Sequence, residues 1–164
     1  MAYTIAENML MGQAIADTST TAKHALGTIV RAKDPTLGVG EFIYLKGVAS
    51  TEAGYIVNYD DTWQTALDSS AVVGPSRPLA VAMSANVADQ FGWYQISGMA
   101  VAAKSAAVSF ADGSGLGAGS GLAVAVATGT VIQGAVVRTV ASAKSGVTTV
   151  AIAINRPHDP SDVS

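Results

Sequence analysis

Large and small side chains alternate with period two in three separate stretches of this chain. Leu79, Val81 and Met83 are interleaved with Ala80, Ala82 and Ser84; Leu122, Val124 and Val126 with Ala123, Ala125 and Ala127; Val150, Ile152 and Ile154 with Ala151 and Ala153. Successive strand side chains point to opposite faces, so each stretch, read as a strand, has one bulky face and one thin alanine face. The bulky face is expected in a core. Alanine is the best helix former, but the period of two and the β-branched partners favour strand over the competing helix. A solvated sheet face normally carries Lys, Glu or Thr, so the thin face is expected to pack against another layer. That layer is either a second sheet of the same domain or another subunit. In the second case Ala123, Ala125 and Ala127 would line an oligomer interface.

The punctuation of the chain from Leu26 onward is that of an all-β protein, with short apolar segments bounded by Gly, Pro, Asp and Ser. Strands are expected over Gly27 to Ala32, Glu41 to Val48, Tyr55 to Tyr59, Leu79 to Val87 and Trp93 to Val101. Further strands are expected over Ala106 to Phe110, Leu122 to Thr128, Val131 to Val140 and Val147 to Asn155. Asp34-Pro35, Gly38 to Gly40, Asp60-Asp61, Gly74-Pro75, Asp112-Gly113 and Ser145-Gly146 supply the turns. The expected fold is a compact single-domain β-sandwich or barrel-like body over residues 26–156. It would carry an extended N-terminal arm, residues 1–25, and a short C-terminal tail, residues 157–164, rich in proline and polar groups. The stretch DGSGLGAGSG, Asp112 to Gly121, reads as a flexible loop at an exposed edge.

The arm reading rests on the polar cluster Asp17 to Thr21 ahead of the first clear strand, a helix over Ile5 to Ala16 being the alternative. The arm nevertheless keeps Tyr3, Ile5, Met9, Leu10, Met11 and Ile15. Those side chains would gain by lying on a partner, where their burial offsets the entropy of ordering the chain.

Composition narrows the chemistry. With 164 residues the chain can bury a sizeable core, and with no cysteine it has no disulfides, thiolate metal sites or Cys nucleophiles. A formal net charge of −3 gives no footprint for nucleic acid or an anionic membrane. The apolar runs are too short to span a bilayer as helices, and the N-terminus does not read as a secretory signal. Charged residues are only 13% of the chain, about half the usual share, which points to a surface covered by neighbours.

No catalytic motif emerges. Gly113, Gly115 and Ala118 fit a relaxed dinucleotide fingerprint, but the alternating strand from Leu122 stands where a helix is required. His24 and His158 lack metal-ligand spacing and lie on the expected arm and tail, where solvated or interface roles suit them. Asp60-Asp61 reads as a turn, and Trp63, Trp93 and Tyr94 read as core anchors or interface hot spots. No enzyme activity, cofactor, metal or small-molecule substrate is expected.

Three stretches resemble a family of tailed-bacteriophage capsid decoration, or cement, proteins. They are GQAIADTSTTAKHALGTIVRAKDP at Gly12 to Pro35, GEFIYLKGVAS at Gly40 to Ser50, and RPLAVAMSANVADQFGWYQISGMAV at Arg77 to Val101. The resemblance implies a structural virion protein, made in the cytoplasm of a bacterial host and attached to the outer surface of the capsid. It implies the major capsid protein as partner, a homotrimer as the assembled form, and stabilisation of the mature head by bridging coat subunits. The alternative is another phage structural binder: a head-fibre base, a tail-associated or a receptor-binding subunit.

Overall fold

The structure is a computed structural model and describes residues 4–5, 12–69, 76–126, 131–138 and 148–159, the first two as backbone alone. Among them the chain is all-β. The strands are β1 (Thr4–Ile5), β2 (Thr18–Ser19), β3 (Ile29–Asp34), β4 (Gly38–Lys46), β5 (Ile56–Tyr59) and β6 (Thr65–Leu67). They continue with β7 (Leu79–Ala82), β8 (Phe91–Ala103), β9 (Gly117–Gly119), β10 (Leu122–Val124), β11 (Gln133–Val137) and β12 (Thr149–His158). Ten strands form one sheet along the path β1-β3-β4-β8-β7-β5-β6, with β2 and β12 also on β8 and β11 outside β12. The β9–β10 hairpin is separate. The large sheet is not closed into a barrel, which removes that form of the expected fold.

Local chemistry explains the turns that hold this topology. Asp34 Oδ1 accepts hydrogen bonds from the N–H groups of Thr36 at 2.7 Å and Leu37 at 2.8 Å, closing the β3–β4 hairpin where Asp34-Pro35 signalled a turn. The β9–β10 turn is Ser120-Gly121, with φ of 51° and 81°, the left-handed pair that a two-residue hairpin of matching twist requires.

β8 is the spine. At 13 residues it is long enough to pair with β2, β4 and β7 along its first half and with β12 along its second. The halves meet at an irregularity where Glu41 stands opposite Ser97 and Phe42 opposite Gln95. The buried Gln95 amide donates there to the carbonyls of Ser97 at 3.1 Å and Met99 at 3.0 Å. Three cores result. Trp93 joins Ile15, Val30, Ala32, Phe42, Tyr44 and Met83 in the first; Tyr94 and Ile96 join Ile43, Leu45, Val57, Ala80 and Ala82 in the second. In the third, Ala100 and Ala102 meet Val150, Ile152, Ile154, Leu79, Leu116, Ala123 and their neighbours.

Several expectations change. The Gly-rich stretch is not a flexible edge loop: Leu116 is 0% exposed, and β9 packs with β10 over the third core. Ala106 to Phe110 is not a strand but a turn that sends Phe110 inward. The segment from Leu79 ends as a strand at Ala82, and β2 and β6 were not foreseen. The tail boundary moves as well, because β12 runs on to His158, Pro157 is buried, and the Asp159 N–H donates to the Arg77 carbonyl at 3.0 Å. Residues 160–164 lie outside the described residues.

The alternation itself has three outcomes. In β12 the bulky Val150, Ile152 and Ile154 face the core, while Ala151 and Ala153 lie half-buried on the other side. In β7 both faces are buried, Leu79 and Val81 in the third core and Ala80 and Ala82 in the second. In β10 the expectation reverses: Ala123 points inward, and Leu122 and Val124 are half-buried.

Candidate protein-binding face

The described part of the expected arm, residues 4–5 and 12–25, is tied to the domain. Ile15 is 2% exposed and belongs to the first core, so it is not an arm residue. Gln13 explains why: its side-chain amide donates to the Asp17 carbonyl at 2.7 Å and the Phe91 carbonyl at 2.9 Å, and its Oε1 accepts from the Tyr44 hydroxyl at 2.6 Å. The Trp93 indole N–H donates to the Gln13 carbonyl at 3.1 Å. His24 is held in the same place, with ring centroids 5.1 Å from both Tyr44 and Trp93, and burial lowers its pKa. It is therefore not a solvated histidine. The backbone of Ile5 pairs with Ala32, making β1 an edge strand of the domain's own sheet. Tyr3, Met9, Leu10 and Met11 lie outside the described residues.

The three alanines expected at an oligomer interface do not form one face. Ala123 is 0% exposed in the third core, Ala125 is exposed beyond the end of β10, and Ala127 lies outside the described residues. An alanine face does exist elsewhere. Ala153 stands opposite Met99 and Val136, Ala151 opposite Val101, and Thr149 opposite Ala103. These positions share one side of the sheet because their neighbours Ala100, Ala102, Val150, Ile152 and Val137 fill the third core. Met99, Val101, Ala103, Val136, Ala151 and Ala153 are all half-buried, and Ser97 and Asn155 extend the same side. None of these side chains carries a charge. A shallow hollow of about 350 Å³ opens at the β11 end, over Ala135, Val136, Ala153 and Asn155.

Met99 to Ala103 carries the same large/small alternation as the stretches singled out from the sequence, but inverted, with alanine inward. Alternation reveals that a strand has two unlike faces; which face is core depends on what covers it. Here the β9–β10 hairpin and β12 pack over the inward side, where Ala100 and Ala102 are fully buried.

Asp60-Asp61 and the Trp93-Tyr94 pair have structural roles. Asp60 Oδ1 accepts from the N–H groups of Thr62 at 2.9 Å and Gln64 at 3.1 Å, the turn expected of Asp60-Asp61. Trp93 and Tyr94 are core anchors, and burial pushes the Tyr94 phenol up to about 12. No family model, no curated protein and no solved structure matches the chain.

Proposed function

We propose that this chain is a non-enzymatic structural subunit that binds protein, and specifically a decoration subunit on the outer surface of a tailed-bacteriophage capsid. In that role it bridges coat subunits and stabilises the mature head. The observation that carries the binding reading is the apolar patch of Met99, Val101, Val136, Ala151 and Ala153 on the outer face of β8, β12 and β11, with Arg138 and the Glu41–Arg156 ion pair at its margins. A contiguous array of Met, Val and Ala side chains is what a covered surface looks like, since a solvated sheet face is normally studded with Lys, Glu or Thr. The capsid reading is supported by the resemblance over Gly12 to Pro35, Gly40 to Ser50 and Arg77 to Val101.

The face is assigned to contact between copies, with the trimer as the assembled form. Three weak coat-binding surfaces held together then act with avidity. The body that presents it is read as sandwich-like, the β9–β10 hairpin and the folded-over large sheet forming two layers around the third core.

Sedimentation velocity and binding to purified capsids test the reading together. The parent is expected to form a closed oligomer that pellets with mature heads and binds the unexpanded precursor much less. Differential affinity for the two shells must also stabilise the mature one. Ala153→Lys and Val101→Lys are expected to stay folded and lose the oligomer. A parent that is monomeric and binds no capsid overturns the proposal. Imaging that finds the protein on tails or fibres overturns the decoration role and leaves a structural binder.

A further inference from the structure

Among the described residues no hydrogen-bond donor reaches three oxygen atoms near the end of the third core, Asn58 Oδ1, Asp68 Oδ2 and Asp159 Oδ1, each shut off from solvent. Asp68 follows β6 and is 1% exposed, and its other oxygen accepts from Asn58 Nδ2 at 3.2 Å. Strand register brings the three together. Asn58 stands opposite Leu79 on β7 and opposite Ala66 on β6, and Asp68 lies two residues beyond Ala66, on the same face. From the other side, Pro78 bridges to His158, and the Asp159 N–H donates to the Arg77 carbonyl at 3.0 Å. This delivers Asp159 to the face that Pro157 and Leu79 share.

The position is built rather than peripheral. The Asp68 N–H donates to the Ile56 carbonyl at 3.0 Å, and the Asp68 carbonyl accepts from Gly121 N–H at 2.8 Å, so β5 and the β9–β10 turn hold it on both sides. The groups that face Asp68 are the Asn58 amide, the Ser69 N–H and the Asp159 carboxyl. Those that face Asp159 are Asp68, Arg77 and His158. Burial raises both carboxyls above the usual range, and the Asp68 charge adds to the rise at Asp159.

A buried carboxylate oxygen with no donor is costly, and two carboxylates that feel each other are more so. Carboxylate and amide oxygens, the three atoms gathered here, are the ligand chemistry of hard divalent cations. We propose that Asn58, Asp68 and Asp159 form a binding site for a hard divalent cation of the calcium class, which clamps the end of β12 to β5 and β6.

Calorimetric titration and thermal unfolding of the full-length, chelator-stripped protein at about pH 7.5, where carboxylates are normally ionised, test this. Calcium chloride is expected to bind once per chain and raise the melting temperature by several degrees, with magnesium chloride less effective. Asp68→Asn and Asp159→Asn are each expected to abolish the calcium heat while melting at or above the stripped parent's temperature, because each removes one of two carboxylates that repel. Loss of response without loss of stability distinguishes a ligand from a structural support. Asp159→Asn, at the half-exposed member, keeps the test open if Asp68→Asn fails to fold. The proposal is overturned if calcium gives neither heat nor shift in the parent, or if the Asn variants respond as the parent does. It is equally overturned if acid alone stabilises the stripped protein and calcium adds nothing, which identifies a proton shared by the two carboxylates.

Discussion

At Gly98 the backbone takes φ of +99° in the middle of β8, and a Cβ there would lie 2.6 Å from the Val39 carbonyl oxygen and 3.0 Å from Gly40 Cα. Both neighbours are backbone, held by the β3–β4 ladder, so neither can rotate away as a side chain could. Gly98→Ala is expected to destabilise by more than the ~1 kcal/mol of an ordinary substitution, read as a lower urea midpoint with an unchanged slope. Asp159 acts through protonation instead. Its carboxyl is raised to about 6, so the folded chain holds that proton more tightly than the unfolded chain does. The stabilisation is fully present below the ordinary aspartate range of about 4 and is lost as pH rises through the folded value. In metal-free protein the melting temperature should therefore fall across that window by more in the parent than in Asp159→Asn.

Among elements, the segment from Gly12 to Ala25 belongs to the domain through Gln13, Ile15 and His24. A chain beginning at Leu26 loses the Gln13 contacts to Tyr44 and Trp93 and uncovers one side of the first core. Its melting temperature is expected to drop by several degrees or more by circular dichroism, since a loss of about 1 kcal/mol already shifts a domain of this size by a few degrees. The sequence made this segment look free because its contacts are non-local: Gln13 reaches Phe91, and no periodicity within the segment announces such a bond. β3, β4, β5, β8 and β12 were legible, since their alternation or turn residues are local. The Gly-rich hairpin was not, because the same glycines that suit a flexible loop also permit the φ of 81° at Gly121 in a tight turn. The candidate face was legible only as a type. Ala151 and Ala153 stood in the alternation, but assigning Ala123 to the same surface required knowing that β10 turns its alanine inward. The three-oxygen cluster left no trace in spacing, because Asn58, Asp68 and Asp159 converge only through the β5, β6 and β12 pairings.

For the molecule as a whole, the outer face and the thin coat of charge belong together. Association through Met99, Val101, Val136, Ala151 and Ala153 involves no ion pair, so the oligomer should withstand a rise from about 0.05 to about 0.5 M sodium chloride, which shortens the screening length several-fold. Dissociation across that range, followed by light scattering, would assign assembly to charged residues elsewhere. The central placement of β8 also bears on how the chain reaches its native state. Its pairing partners come from distant parts of the described sequence, with Thr18 opposite Gly92 and Ile152 opposite Ala100. Long loops must close before those ladders return any stabilisation, and loop closure is an entropic toll on the transition state. Refolding by stopped-flow fluorescence of Trp63 and Trp93 is accordingly expected on the millisecond-to-second scale of non-local β topologies, far from the microseconds of helical bundles. During that interval β8 is a long strand with both edges unpaired, so the nascent chain is at its most prone to associate wrongly just before its spine is covered.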